Sequence, residues 1–517
     1  MVRLNIFSFF RRRGELSAGG TKQNEDERRQ VRPQVALAIQ HFLANIGLGM
    51  SMGHSAVLLP QVQHDDSGLD VDNDTASWIA SVYMLVSPVG FFLGGMLLEK
   101  IGRRNGVLLG QLIYIVGWTL IATAQSAVML ICGRVFDGIG VGIIGSSGAI
   151  LFDEMAHPRL RVTVLCLSSS FLSSGVLLMS SIGTYMNWRT AAALAVVPSV
   201  VQILIVVFLV MESPTYFVKK NKLNQAEKSL FWLWGNHQAK VKQELDDLVT
   251  RIHTQKAETI EDRDQHDICW KFSKIISNSK EYIQPYILKS FFIIHIFNLL
   301  QIPCGLGLLT TYTVDMLNAI QRNEPVISGY DATIIISALK VVFLLISAYI
   351  LYRVGRRPIA IISGIGSSLP AIAISVLLYI QDGDNKIMSA NDEAWVNFSL
   401  VLVYVIMNTL GFYCLTYTMI GEMLPAKVRG FLFGYILALN YLVGGGVTKA
   451  YPSMVDAFQM KGLFLMFGIS NVICTLFVFI FLPETFGRTL EEIEDYFHEP
   501  NLTWFGRRKI SSDSVRL

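Results

Sequence analysis

The chain has 517 residues, of which 52% are hydrophobic and only 16% are charged, and its mean hydropathy is +0.45. Soluble globular chains carry about 25% charged residues, so this composition excludes a disordered scaffold and a disulfide-stapled secreted domain and disfavours a soluble enzyme. The 43 basic residues nearly balance the 40 acidic residues, which argues against the basic surface of a nucleic-acid binder. The sequence therefore predicts an integral membrane protein.

Twelve apolar runs follow one another along the chain, and each is long enough for a membrane-spanning helix. A hydrocarbon core of about 30 Å requires about 20 helical residues. The runs cover residues 36–60, 77–97, 106–125, 127–152, 163–186, 190–211, 290–314, 332–352, 358–379, 396–421, 431–452 and 463–482. We therefore predict an all-α integral membrane fold with twelve transmembrane helices in two six-helix pseudo-repeats.

The basic residues predict how these spans are oriented. The two tails and the even-to-odd connections carry 36 of the 43 Lys and Arg residues, whereas the opposite loops carry four. Because cytoplasmic loops are enriched in Lys and Arg, both termini are expected to be cytoplasmic. The sequon at Asn73 then lies in the first outer loop, and we predict that it is glycosylated.

The distribution of polar residues predicts five regions. These are an amino tail (1–35), a first bundle (36–211), a cytoplasmic linker (212–289), a second bundle (290–482) and a carboxyl tail (483–517). Within the linker, apolar residues recur at helical spacing at Val241, Leu245, Leu248 and Ile252, which predicts short amphipathic helices beneath the membrane. The alternative is a solvated linker.

The two halves repeat charged motifs in matching loops. Residues 95–104 read Gly-x-x-x-Glu-Lys-x-Gly-Arg-Arg, and residues 348–357 read Ala-x-x-x-Tyr-Arg-x-Gly-Arg-Arg. A Glu-Met pair with an Arg seven residues after the Glu begins at residue 154 and again at 422. Duplicated halves are typical of secondary transporters, and these charges predict ion pairs that close one end of a cavity, the alternative being simple positive-inside anchoring. The predicted gating residues are Glu99, Arg103, Arg104, Arg134, Glu154, Arg161, Arg356, Arg357, Glu422 and Arg429.

This set of motifs resembles the sugar porter branch of the major facilitator superfamily. Within that branch, residues 76–81, 420–430 and 447–452 most resemble the facilitated trehalose transporters of insects. The resemblance covers roughly residues 36–495. It implies alternating access, with a sugar held at the midplane between two six-helix bundles. It also implies a plasma membrane protein whose partners are a sugar and the lipid bilayer, with no cofactor and no metal, and we expect it to act as a monomer.

Carried over position by position, the family's sugar contacts fall on five residues, and only two of these keep an amide. They are Ser169, Gln301, Gly307, Tyr417 and Asn440. Each lost hydrogen bond weakens binding by about 0.5 to 1.5 kcal/mol, so the resemblance implies weaker recognition of an ordinary hexose. The alternative is compensation by nearby hydroxyl groups of Ser170, Ser173, Thr310 and Thr311.

Lys340 stands in span 8, where the family usually has Asn or Gln. It lies roughly 12 Å into the hydrocarbon core, because it is eight residues from the outer end of the span and a helix rises about 1.5 Å per residue. A Lys at this depth costs about 2.5 to 3.5 kcal/mol, so it should face water, a carboxylate or a ligand. We hypothesise that Lys340 contacts the substrate, with a substrate that bears an anionic group as one alternative and snorkelling of the amine as the other.

The first span bears on energy coupling. Proton-driven relatives place an Asp in the register of Ser55, where it can partner the span 4 arginine that corresponds to Arg134. Residues 36–60 contain no acidic residue, which favours a facilitative uniporter. Asp137 follows Arg134 on the same helical face and is expected to neutralise it. A proton site that includes His54 is the alternative.

Two other classes of function compete with a carrier. An enzyme is not expected, because the Gly-x-Ser-x-Gly match at residues 49–53 lies inside a span rather than at a strand-to-helix turn. A sugar sensor that binds without transport is the second class, and the replaced contacts in spans 5, 7 and 10 fit it. The intact charges of the loop motifs favour transport instead.

Overall fold

The computed structural model describes residues 22–64, 69, 71–235, 238–260, 284–321, 327–351, 353–382, 389–425, 428–488 and 490–498, which form helices and short connections. The predicted all-α fold is confirmed. The first half contains six long helices: α1 (Lys22–His64), α2 (Asn73–Ile101), α3 (Arg103–Ala122), α4 (Ala127–Met155), α5 (Pro158–Tyr185) and α6 (Trp188–Leu209).

Three further helices follow the first half, and the last of them carries the amphipathic pattern noted at residues 241–252. They are α7 (Pro214–Lys219), α8 (Leu223–Trp234) and α9 (Gln238–Ile260). Val241 and Ile252 of α9 are buried, and Leu245 and Leu248 pack beside them. Because their apolar face is covered by the ends of the long helices, α8 and α9 form a cap on the first half. The rest of the predicted linker, residues 261–283, lies outside the described residues.

The second half repeats the six spans with two interrupted helices. Span 7 consists of α10 (Pro285–Gln301), a 3₁₀ turn (Ile302–Cys304), α11 (Leu306–Thr311) and α12 (Thr313–Gln321). Spans 8 and 9 are α13 (Gly329–Leu351) and α14 (Arg356–Gln381). Span 10 consists of α15 (Ala390–Asn408), a π-helical segment (Thr409–Tyr413) and α16 (Cys414–Met423). The last helices are α17 (Arg429–Phe481) and α18 (Leu490–His498).

The structure reaches twelve spans when α17 is counted as two spans and α5 is added to the helices that are clearly apolar. Among the described residues, ten helices are long and apolar enough to cross a membrane. One of these stretches has 50 residues and would be about 75 Å long, yet the backbone at Gln459 leaves the helical region, with φ 56° and ψ 174°. It therefore folds back as spans 11 and 12. Helix α5 has 28 residues, which is long enough to cross a membrane, and it completes the twelve spans.

The packing differs between the two ends of the helix bundle. We call the end that carries the start of α1, helices α7–α9 and α18 the tail side, and the opposite end the far side. On the far side, one continuous cluster of buried apolar residues crosses both halves and includes Trp118, Trp188, Leu306 and Phe464. On the tail side, each half has its own cluster. The apolar clusters therefore join the halves on the far side, whereas on the tail side neither cluster crosses from one half to the other.

Candidate functional site

A cavity of about 180 Å³ lies between the two halves. The first half contributes a wall of four apolar side chains and one tyrosine, which are Leu48, Met52, Met84, Leu172 and Tyr83. The second half contributes the amides and the threonine hydroxyls, which belong to Asn298, Gln301, Asn408, Thr416, Asn440 and Thr448. A concave site with an apolar wall and a few convergent polar groups is typical of small-molecule binding.

The break in span 7 shapes one edge of this cavity. Pro303 cannot donate a helical hydrogen bond, and the chain passes through a 3₁₀ turn to Gly305, whose φ is +92°. A side chain at Gly305 would also meet the ring of Phe467. Glycine is therefore required there both by the positive φ and by the lack of space. The break turns α11 so that Leu306, Gly307 and Leu308 line the cavity. Interrupted helices are typical of substrate sites in secondary transporters.

The π-helical segment of span 10 holds Gln301 in place. The carbonyl of Phe412, within the π-helical segment, accepts a hydrogen bond from Gln301 Nε2 at 3.0 Å. The hydroxyl of Thr416 donates to Gln301 Oε1. The Gln301 amide is therefore oriented by span 10, and it keeps one N–H for a ligand.

Two other amides in the cavity wall have a buried oxygen that accepts no hydrogen bond from the described residues. These atoms are Oδ1 of Asn298 and Oδ1 of Asn440. Buried polar atoms normally have a partner, because an unmade hydrogen bond is costly. Both oxygens belong to side chains that line the same cavity, so they are suited to accept hydrogen bonds from the hydroxyl groups of a ligand.

The structure brings together some of the predicted substrate residues and not others. Gln301, Gly307 and Asn440 line the cavity. Lys340 is buried near Tyr413, a residue of the cavity wall, whereas Ser169 is buried within α5 and is not among the lining residues. The side chain of Tyr417 lies outside the described residues. The replaced contacts in spans 5 and 10 therefore stay predictions.

Several cavity residues were not predicted from the sequence. Asn298 lies one helical turn before Gln301, and Asn408 precedes the π-helical segment. Thr448 comes from span 11, and Tyr83 brings a phenol group from the first half. An amide inside an apolar span was the available signal, because such groups are costly in lipid unless they are buried. The family resemblance pointed to residues 301–307 of span 7 and not to these positions.

Lys340 is buried within the second half. Its Nζ atom donates to Thr310 Oγ1 at 2.9 Å and lies 5.2 Å from the ring centroid of Tyr413. Ser337, Leu344 and Ser347 are buried on the same face of α13, as the helical spacing predicted. Lys340 therefore does not snorkel to the membrane surface.

Arg134 lies in a buried cluster inside the first half rather than at the tail-side end with the other predicted gating charges. It pairs with Asp137 at 3.2 Å, and neither side chain is exposed. Its guanidinium also donates to Ser55 Oγ at 3.1 Å and lies 2.9 Å from His54 Nδ1. Ser51 donates to Asp137 at 2.7 Å. The charge of Arg134 is therefore balanced within its own half, and Ser55 occupies the contact position that the resemblance implied.

The loop motifs of the first half form one network on the tail side. Arg103 pairs with Glu154 at 2.8 Å, and Ser213 also donates to Glu154. The carboxylate of Glu212 accepts from the backbone N–H of Arg103 at 2.8 Å. Gly102, at φ +97°, leaves the space that this carboxylate occupies. The network ties α3, α4 and the segment after α6 together.

The second half repeats this network residue for residue. Arg356 pairs with Glu422 at 2.8 Å, and Thr485 donates to Glu422 at 2.6 Å. The carboxylate of Glu484 accepts from the backbone N–H of Arg356 at 2.9 Å and of Arg357 at 3.1 Å. Ion pairs that stay within one half can move with it as a rigid unit, as an alternating-access mechanism requires.

The other predicted gating charges have mixed placements. Arg104 donates to the carbonyl groups of Val206 and Val207, at 3.1 and 2.7 Å. Glu99 makes a surface ion pair with Lys219, at 3.9 Å. The side chains of Arg161 and Arg429 lie outside the described residues.

A polar bridge, which was not predicted from the sequence, joins the two halves on the far side. Lys449 of α17 donates to Asp74 Oδ1 at 2.5 Å and to Ser77 Oγ at 2.7 Å, both on α2. Its Nζ atom lies 4.6 Å from the ring centroid of Trp78. Near this point α17 and α2 run so close that a side chain on Gly445 would meet Leu85. We call Lys449, Asp74, Ser77 and Trp78 the far-side bridge.

Comparisons with known proteins agree with this arrangement. The family model described as "Sugar (and other) transporter" matches residues 40–497. The facilitated trehalose transporter Tret1 of Apis mellifera ligustica is 30% identical over 472 residues, covering 90% of this chain and 88% of that protein. Tret1 of Bombyx mori is 27% identical, covering 89% and 86%. The chain spans about half (48%) of the length of Tret1 from Drosophila virilis, at 30% identity.

Solved structures share the fold. The proton:xylose symporter XylE bound to 6-bromo-6-deoxy-D-glucose, a major facilitator superfamily protein, superposes with a TM-score of 0.68 at 17% identity and covers 90% of this chain and 100% of that one. The partially occluded inward open conformation of XylE from E. coli gives a TM-score of 0.69 at 16% identity, covering 88% and 99%. At this identity the likeness shows the fold alone.

Proposed function

Because the chain belongs to the sugar transporter family, we propose that it moves trehalose or a hexose-like sugar across the plasma membrane by alternating access, as a facilitative uniporter. It is a carrier rather than an enzyme. The observation that carries the proposal is the cavity between the halves, which is lined by amides and is sealed on the far side by one apolar cluster. The separate clusters on the tail side leave the halves free to rock about this cavity.

The polar groups of the cavity suit a sugar. A sugar hydroxyl both donates and accepts, as an amide does, so each Asn or Gln can take one or two hydroxyl groups. Asn298 and Asn440 offer buried oxygens that the described residues leave without a donor. Gln301 is held in the cavity wall by span 10. We include Ser169, Gly307 and Tyr417 in the proposed site on the resemblance alone.

The buried charges support uniport. In the first half, Arg134 is already neutralised by Asp137 on its own helix, and Ser55 rather than an acid contacts it from α1. A proton site needs a carboxylate that changes charge as the carrier changes conformation, and Asp137 is held by Ser51 and Arg134, which belong to the same half. Uptake that is insensitive to a protonophore is the expected result.

The orientation proposed from the basic residues places the tail side in the cytoplasm. The five regions 1–35, 36–211, 212–289, 290–482 and 483–517 then alternate as tail, bundle, cytoplasmic linker, bundle and tail. Asn73 is exposed at the start of α2 on the far side, so a glycan there would face the outside. We propose that the carrier acts as a monomer, because the cavity is completed by the two halves of one chain.

Uptake of radiolabelled trehalose and glucose into oocytes that express the chain tests this function. Saturable uptake above that of water-injected oocytes is expected, and Asn440→Ala should weaken it. Asn105→Ala is the matched control, because this exposed amide lies on the tail side away from the cavity. Uptake that is no higher than the background, with the protein shown at the surface, would contradict the proposal.

A further inference from the structure

Lys340 is a cation buried in the membrane interior, with 3% of its surface exposed. An ammonium group has three N–H donors. One of them binds Thr310 Oγ1 at 2.9 Å. The hydroxyl hydrogen of Thr310 is used elsewhere, because this group donates to the carbonyl of Leu306 at 2.7 Å. Thr310 can therefore accept from Lys340 but cannot supply negative charge.

The charge of Lys340 is left unbalanced, in contrast to that of Arg134. In the part of the chain that the structure describes, Lys340 makes this hydrogen bond and a contact with the ring of Tyr413, and no carboxylate lies within ion-pair distance of Nζ. Arg134, which is buried in the first half, has Asp137 at 3.2 Å. A charge inside a membrane normally pairs with another group or marks a substrate pathway.

Lys340 is placed to meet a ligand in the cavity. The ring of Tyr413 forms part of the cavity wall, and its centroid is 5.2 Å from Nζ. Thr310 lies one helical turn after Gly307, which also lines the cavity and whose missing side chain leaves open space. One layer of side chains therefore separates the ammonium group from the cavity, a distance that a rotation within the four-carbon lysine stem can cross.

We propose that Lys340 binds the carboxylate of an acidic monosaccharide in this cavity, so that the carrier takes sugar acids as well as neutral sugars. This inference rests on the proposed sugar transport. A bound carboxylate would give Lys340 the counter-charge that Asp137 gives Arg134. The amides of Asn298, Gln301 and Asn440 would hold the sugar hydroxyls, as they do for a neutral sugar.

The test compares uptake of labelled glucuronate and glucose in oocytes that express the full chain. Lys340→Gln removes the charge and keeps a hydrogen-bonding group, and Lys340→Arg keeps the charge. Ser337→Ala is the matched control, because Ser337 is buried on the same face of α13 one turn away. The loss of a hydrogen bond to a charged group should lower glucuronate uptake in Lys340→Gln by about 10- to 100-fold, with glucose uptake kept within about threefold. Lys340→Arg and Ser337→Ala should keep both activities.

The other outcomes are distinct. If the wild type transports glucose but glucuronate is neither transported nor able to inhibit glucose uptake, the inference fails while the proposed function stands. Equal effects of Lys340→Gln on both sugars also overturn it, because the charge would then have no special role. If neither sugar is transported by wild-type protein at the surface, the proposed function fails with it. If Lys340→Gln does not reach the surface, the test is whether glucuronate inhibits glucose uptake by the wild type and by Lys340→Arg. Inhibition of both supports the inference, and inhibition of neither overturns it.

Discussion

The far-side bridge should control how often the cavity opens to the outside. The change we consider is Lys449→Gln, because a glutamine can keep the hydrogen bond to Ser77 but loses the ion pair with Asp74 and the contact with Trp78. The side chains of Lys449 and Asp74 are 22% and 74% exposed. An exposed ion pair contributes about 0.2 to 1 kcal/mol, and an exposed cation–π contact contributes about 0.5 to 1 kcal/mol.

These two contributions give about 0.7 to 2 kcal/mol in favour of the state with the far side closed. The open state should therefore be populated about 3- to 30-fold more in Lys449→Gln than in the parent chain. The matched control is Lys461→Gln. Lys461 also lies on the far side and makes an ion pair, with Asp382 at 2.8 Å, but both residues belong to the second half. Its loss should not change the opening between the halves.

The assay uses a cysteine at Gly444, which lines the cavity and has space for a side chain, since a Cβ atom there would lie 4.0 Å from its nearest neighbour, Met84 Sδ. A membrane-impermeant maleimide applied from outside should label Gly444→Cys faster when Lys449→Gln is present, and at the parent rate when Lys461→Gln is present. Equal labelling rates in all three chains would show that the bridge does not hold the far side closed. Labelling that speeds up with Lys461→Gln as well would count equally against it, because the effect would then not depend on a contact between the halves.

Three further predictions concern the cavity, the buried cluster and the outer loop. Asn440→Ala should raise the KM for the transported sugar by about 2- to 12-fold, because one hydrogen bond to the sugar is lost. An unchanged KM would show that Asn440 does not contact the sugar. Asp137→Asn leaves the buried charge of Arg134 without its partner and should destabilise the protein by about 3 to 5 kcal/mol, seen as a lower Tm in detergent and less protein at the surface; a wild-type Tm would show that the pair is dispensable. Treatment with an endoglycosidase should shift the wild type on a gel but not Asn73→Gln, and the absence of a shift in both would show that the sequon is unused.

The fold could be predicted from the sequence because the membrane interior permits few backbone structures. Each span must satisfy its backbone hydrogen bonds internally, so an apolar run of about 20 residues becomes a helix. The amphipathic spacing in α9 was equally readable, since Val241 and Ile252 are buried as that pattern predicted. The bend at Gln459 was predicted too, because it lies in the polar connection between the apolar runs 431–452 and 463–482.

The site could be predicted only in part. Gln301 and Asn440 were found through the family resemblance, yet Gln301 is oriented by the carbonyl of Phe412, which lies in a π-helical segment. No local sequence pattern predicts a π-helical segment. The bridge between Lys449 and Asp74 joins residues 375 positions apart, so its existence depends on how the halves pack and not on either motif. Asn298 was overlooked although it lies one turn from Gln301, because it stands outside the run that the family uses.

Counterflow in proteoliposomes shows whether the two halves alternate about one sugar site. Vesicles that contain the purified chain are loaded with unlabelled sugar and diluted into a trace of the labelled sugar, with empty vesicles as the control. Because a carrier exchanges the two, we expect a transient accumulation of label above its equilibrium level, which Asn440→Ala should reduce. Saturable binding of the sugar with no such accumulation would rule out alternating access and would indicate a sensor that binds without transport.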